Sequence, residues 1–226
     1  MRLHEIVDTA YKVTKTNGQH DLPKMIDNLM ANANTEQAGV YAQGSQTSDP
    51  FVYQKKNFLP SELKNDGYFN YIRAINPHIK SNPFFPRVYM VELDVDADGL
   101  KVPRYEMEKL LKPSHVGQEA VMGLAQNLIH GFSLRDNSLE NMWGYLVKLL
   151  ARYVCGDTSI AEYFTSTKLK QALDLIKQTL ASNKNFKCDI HTNNCMVRMT
   201  KFGPQLVITD PIEDRVSRIS SRPTIH

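Results

Sequence analysis

Cys188-Asp189-Ile190-His191-Thr192-Asn193-Asn194, followed after a short link by Leu206-Val207-Ile208-Thr209-Asp210-Pro211, sets an aspartate, an asparagine five residues later, and a second aspartate at the end of an apolar run. Phosphoryl transfer from ATP uses that set of groups. One carboxylate orients the attacking hydroxyl and takes its proton, while an amide and another carboxylate hold the metal ions that neutralise charge on the group in transit. In this chemistry Asp189 is the base, and Asn194 and Asp210 are the metal ligands. The plainer alternative is a turn-rich hairpin whose Asp and Asn side chains satisfy backbone groups.

The spacing favours the chemistry. Asp189 to Asn194 is the D-x-x-x-x-N interval of a protein-kinase catalytic loop, and Leu206 to Ile208 reads as a buried strand that delivers Asp210. His191, two residues after Asp189, gives the D-x-H-x-x-N form of aminoglycoside phosphotransferases and atypical kinases rather than H-R-D. Taken together, Asp189-Ile190-His191-Thr192-Asn193-Asn194-Cys195-Met196 and Ile208-Thr209-Asp210-Pro211 resemble the early serine/threonine protein kinases, or host shut-off kinases, of podovirus bacteriophages. That family carries a D-x-H-x-x-N-x-M loop, and I-T-D-P where most kinases have D-F-G. The likeness is close over residues 186 to 212 and faint upstream, in Asn82-Pro83-Phe84-Phe85-Pro86-Arg87-Val88-Tyr89 and in the segment from Tyr68 to Ile75. Asn193 stands where a glycine is expected. The resemblance implies a protein-kinase-like fold, ATP with Mg2+, host bacterial proteins as substrates or targets, and the host cytoplasm as the place of action.

Composition is compatible with one soluble domain of two small lobes. With 226 residues, 42% of them hydrophobic and 23% charged, the chain is long enough for a substantial core. No apolar run approaches the roughly 18 residues of a membrane span, and Met1 to Val13 is charged and amphipathic, unlike a signal peptide. Three cysteines without metal-ligand spacing suggest a reducing cytoplasm and no disulfide framework. A net charge of +3, from scattered Lys and Arg, argues against direct nucleic-acid binding.

Along the chain, residues 1–30 read as a helical appendage, with Ile6, Val7, Ala10 and Val13 at helical spacing and a second short helix from Pro23 to Leu29. Residues 31–112 would form a small mixed N-lobe. Within it, 31–50 is polar and glycine-containing, a loop or irregular hairpin. Gly39 and Gly44-Ser45 are the candidates there for covering phosphates, although a surface turn is the simpler reading and no G-x-G-x-x-G is present. Phe51 to Lys56 reads as a strand. Its Val52-Tyr53-Gln54-Lys55 has the V-x-x-K spacing of the lysine that meets nucleotide phosphates. Alternation lets one of Lys55 and Lys56 face inward; Lys55 is preferred, and two solvated edge lysines are the bland alternative. Tyr68, Tyr71, Ile72 and Ile75 form the face of a helix that lacks the usual glutamate partner for that lysine, with Glu62 and Asp66 near its start. Two strands, Val88 to Leu93 and Leu100 to Met107, flank Asp94-Val95-Asp96-Ala97-Asp98-Gly99. That segment copies the opening of an EF-hand loop but has Tyr105 at the twelfth position, so it reads as a hairpin turn. Glu106 to Lys109 would be the hinge, with Glu106 and Met107 presenting backbone groups to adenine.

Residues 113–226 would be a truncated helical C-lobe. Apolar stripes mark helices at Val116 to Leu128, Leu139 to Tyr153 and Leu169 to Leu180, with Asn137 and Ser166 as N-cap candidates and Trp143 read as core. After Asp210 the sequence has no A-P-E motif. The basic and hydroxyl residues Arg215 to Arg222 read as a solvated tail, or alternatively an autophosphorylated one. The resulting expectation is a compact, bilobal α+β fold of protein-kinase type that moves the γ-phosphate of ATP to serine or threonine. Two rivals stand beside it: a small-molecule phosphotransferase, and a catalytically weak kinase-like protein that inhibits a host factor by binding.

Overall fold

The computed structural model describes residues 42–46, 52–57, 66–95, 101–131 and 138–214, and among these the chain is a mixed α+β protein of small antiparallel sheets and α-helices. The helices read at the N-terminus, Gly39, Glu62, most of the 94–99 turn and the tail lie outside the described residues. The described residues fall into two units. The first draws on the described residues within 42–76, 87–109 and 214, and the second on those within 77–86 and 110–213. Among the described residues no helix is long and apolar enough to cross a membrane.

In the first unit, β1 (Ala42–Gln46), β2 (Val52–Asn57), β3 (Val88–Val95) and β4 (Lys101–Glu108) make one antiparallel sheet in the order β1-β2-β4-β3. Gly44 and Ser45 stand inside β1, opposite Lys55 and Gln54, so they belong to a paired strand rather than to a loop. Alternation along β4 buries Pro103, Tyr105 and Met107 and leaves Arg104 and Glu106 half-buried. A bulge between Val88 and Met90 shifts the register of β3.

Helix α1 (Gly67–Ile75) starts where Asp66, itself buried, accepts a 2.7 Å hydrogen bond from Phe69 N–H. Its buried residues Tyr68, Phe69, Tyr71, Ile72 and Ile75 supply much of this unit's core. The Tyr68 ring meets Tyr105 edge to face at 4.9 Å, and its hydroxyl donates to Met107 Sδ at 3.6 Å.

In the second unit, α2 (Gln118–Leu128), α3 (Leu139–Val154) and α4 (Thr167–Ala181) bury the stripes the sequence marks. Ser138 caps α3 through Asn141 N–H, while Asn137 lies outside the described residues. Ser166 caps α4 through Leu169 N–H. A 3-10 segment at Thr158–Tyr163 and the strand β5 (Phe186–Cys188) were not legible, since neither offers a full period of apolar residues. β5 pairs with β8 (Ile212–Asp214), and β6 (Cys195–Thr200) pairs with β7 (Gly203–Ile208) as a hairpin. Gly203 takes φ +113° at the hairpin turn, a conformation that side-chain-bearing residues rarely adopt.

Pro77–Pro86, read from sequence as part of the first lobe, belongs with the second unit. Its carbonyls and amide explain why. Arg198 donates to Pro83 O at 2.8 Å and Phe85 O at 2.9 Å, Ile208 N–H donates to Phe84 O, and buried Asn82 donates to Lys168 O.

Candidate active site

The site is built where two short strands end. After β5 the chain turns out of the sheet at Asp189, whose N–H donates to Pro211 O at 2.8 Å, so the first aspartate is fixed to the residue that follows the second. Ile190 is buried and anchors the loop from below. Asn194 N–H closes back on His191 O at 2.9 Å, after which buried Cys195 begins β6. The other limb arrives through β7, whose Leu206, Val207 and Ile208 are fully buried, as the apolar run requires. Thr209 completes the link, donating from both its N–H and its hydroxyl to Asn194 O at 2.9 and 3.0 Å. Asp189, Asn194 and Asp210 are thereby gathered into one site. No residue of the loop takes a positive φ, so Asn193 fills the expected glycine position without strain.

Side chains complete the arrangement. Asn194 Nδ2 donates to Asp189 O at 2.8 Å and to Asp189 Oδ2 at 2.9 Å, and it lies 3.0 Å from His191 Nε2. With its nitrogen turned inward, the carboxamide keeps Oδ1 as its acceptor for a ligand. His191 Nε2 lies 3.5 Å from Asp189 Oδ2, and His191 Nδ1 accepts from Asn193 N–H at 3.2 Å.

Burial raises the Asp189 carboxyl above its ordinary range. His191 opposes the shift, the charges of Glu213 and Asp210 add to it, and the Asn194 hydrogen bond opposes it. Burial also pushes the Cys188 thiol up to about 12, and the thiol of fully buried Cys195 upward as well, so neither is a ready thiolate.

The crowding of like charge bears directly on whether a metal fits. Asp189 sits among carboxylates that disfavour its ionisation, which a cation would relieve. Among the described residues no cluster of three or more His, Cys, Asp or Glu side chains forms a metal cage. Asn194 Oδ1 with the Asp210 carboxylate is instead the sparse oxygen set that suits magnesium, which retains waters and takes substrate phosphates as its other ligands.

Other residues shape the site without having been read as functional. Trp143 of α3, read as core, is buried and also points its indole N–H at Thr192 O, at the long limit of 3.5 Å. Lys187 and Glu213 pair at 2.7 Å, one preceding Asp189 and the other following Asp210. Pairing these two from sequence would have required recognising β5, a strand of three residues.

The nucleotide-binding residues expected in the first unit are placed only by strand register. Lys55 stands opposite Tyr105 and Lys56 opposite Arg104; the side chains of β2 lie outside the described residues. Glu106 and Met107 stand inside β4, opposite Gln54 and Tyr53 on one side and Met90 and Val88 on the other. A strand paired on both sides has its backbone groups engaged in the ladder. The part of the expected hinge able to offer backbone groups therefore begins after Glu108. In α1 no acidic residue occurs, and Asp66 is committed to capping.

No family model matches the chain, and no curated protein or solved structure matches it significantly.

Proposed function

We propose that the chain is an ATP-dependent serine/threonine protein kinase of the podovirus early type, with a bilobal kinase-like fold and host bacterial proteins as its substrates in the host cytoplasm. The observation that carries the reading is the convergence of Asp189, Asn194 and Asp210, linked by Asn194 Nδ2 to Asp189 and by Asp189 N–H to Pro211 O. Those are the three groups the chemistry requires, arriving from two limbs of the chain at one place.

In this reading Asp189 accepts the proton of the attacking hydroxyl as the oxygen closes on the γ-phosphorus and the bond from that phosphorus to the β,γ-bridging oxygen breaks, with ADP as the leaving group. Its raised pKa makes it a stronger base than an exposed carboxylate. Asn194 Oδ1 and the Asp210 carboxylate would hold magnesium, which supplies charge neutralisation on the phosphate oxygens. Lys55 is assigned to the phosphates and the segment following Glu108 to adenine.

The test is transfer of labelled γ-phosphate from ATP and magnesium to the chain itself and to a bacterial lysate, comparing wild type with Asp189→Ala. Label that vanishes in the variant supports the kinase. Equal labelling by both would remove Asp189 from the role of base. A second reading, a kinase-like protein that inhibits a host factor by binding, draws on the absence of an acidic residue from α1. Nucleotide binding without transfer, and equal inhibition by the Asp189 variant, would favour it.

A further inference from the structure

His191 occupies a place in this loop that the three-residue account leaves unused. Its ring lies against both the proposed base and the proposed metal ligand, with Nε2 3.5 Å from Asp189 Oδ2 and 3.0 Å from Asn194 Nδ2. One hydrogen bond holds the ring and another the backbone that carries it. Asn193 N–H donates to Nδ1 at 3.2 Å, and Asn194 N–H donates to the carbonyl of His191 itself at 2.9 Å.

We propose that His191 is a positioning residue, whose imidazole locks the Asp189 carboxylate and the Asn194 carboxamide together with the amide nitrogen inward and Oδ1 outward. The assignment of base and ligand rests on the kinase reading; the locking itself does not. Asn194 has two amide hydrogens and three polar atoms within reach of Nδ2: Asp189 O, Asp189 Oδ2 and His191 Nε2. Because Nδ1 accepts from Asn193 N–H, the neutral ring carries its proton on Nε2, where it faces Asp189 Oδ2, the oxygen that also accepts from Asn194 Nδ2. A flipped carboxamide would set Oδ1 against two oxygens of Asp189. The ring thus fixes the carboxylate, and the carboxylate fixes the amide nitrogen inward. Because the side chain is 47% exposed, it contributes little as packing, and a polar role can be separated from a structural one.

The experiment compares wild type with His191→Phe, which keeps the ring and removes its nitrogens, His191→Gln, which restores a polar group near Nε2, and His191→Ala in case Phe does not fold. Two readouts are taken: hydrogen exchange of the Asn194 side-chain amide by 15N NMR, and phosphate transfer with saturating and limiting magnesium. Expected is amide exchange at least about 10-fold faster in the Phe and Ala variants, near wild type in the Gln variant, with backbone spectra unchanged outside the loop. In transfer, kcat falls about 10- to 100-fold in the Phe variant, the range for partners that orient metal ligands. KM for ATP stays within about 2-fold, and Gln restores most of the rate. Unchanged Asn194 exchange in both Phe and Ala variants would overturn the proposal even if the wild type is an active kinase. Faster exchange in a protein whose wild type transfers no phosphate would uphold the positioning and remove the kinase reading.

Discussion

Burial and the carboxylates of Glu213 and Asp210 make the ionised form of Asp189 costly in the folded chain, so the residue proposed as the base also opposes folding at neutral pH. The sign follows from linkage. A carboxyl whose folded pKa is raised contributes stability below its unfolded pKa and loses it as pH rises through the folded one. Asp189→Asn should therefore unfold at a higher temperature than wild type at pH 7, with the difference vanishing once pH drops below the ordinary carboxylate range. Calorimetry across that window checks it, and equal midpoints at pH 7 would contradict the placement of Asp189 among like charges. The same variant should lose phosphate transfer by about 10²- to 10⁴-fold, the usual contribution of a general base. Wild-type transfer should fall on the acid side at a pH above the ordinary carboxylate range. A separate consequence concerns the thiols. Cys155 is exposed, whereas Cys188 is raised to about 12 and Cys195 is fully buried. Iodoacetamide should modify Cys155 first in the native protein, as mass spectrometry would show, and prompt labelling of Cys195 would mean the loop opens.

At the scale of elements, the limb that carries Asp210 is held by a segment remote in sequence. Arg198 of β6 spans Pro83 O and Phe85 O, while Ile208 N–H takes Phe84 O. Arg198→Met keeps the aliphatic stem and strands two carbonyls. With hydrogen bonds to a charged donor contributing about 1.5–3 kcal/mol each when buried, and Arg198 partly solvated, a loss of about 2 kcal/mol in urea denaturation is expected. Phosphate transfer should drop more than stability alone explains, because β7 positions Asp210; wild-type stability would show that solvent replaces the clamp. This clamp also marks the limit of what the sequence discloses. The apolar run at 206–208, the D-x-x-x-x-N interval and the helical stripes are local signals, and each places its own element and part of the site. That Asn82 to Pro86 belongs with the second unit depends on an arginine over a hundred residues later choosing two carbonyls, which no periodicity encodes. β5 is too short to show alternation, so the Lys187–Glu213 pair across β5 and β8 stayed hidden with it. Asn137 is the cap residue type the sequence offers before this helix, but the cap is Ser138, one residue on, because Asn and Ser side chains serve that role alike and composition does not choose between neighbours.

For the molecule as a whole, the kinase reading makes a demand that no single side chain can meet alone: nucleotide and magnesium must bind to the folded chain together. Asn194 Oδ1 and Asp210 are too few donors for magnesium to be held tightly without phosphate oxygens, and among the described residues no carboxylate cage replaces them. Magnesium alone should therefore shift the thermal midpoint little and ATP alone modestly. The pair should stabilise more than the sum, approaching about 2.7 kcal/mol when the complex is present at about 100 times its dissociation constant. Asp210→Asn tests the origin of that coupling. It keeps the shape of the residue and removes its charge, so the variant should retain the shift with ATP alone and lose the excess produced by magnesium. A variant that keeps the full excess would move the metal away from Asp210. A wild type that shows no shift with ATP, magnesium or both would leave the gathered loop as architecture, with Asp189, Asn194 and Asp210 holding one another rather than a nucleotide.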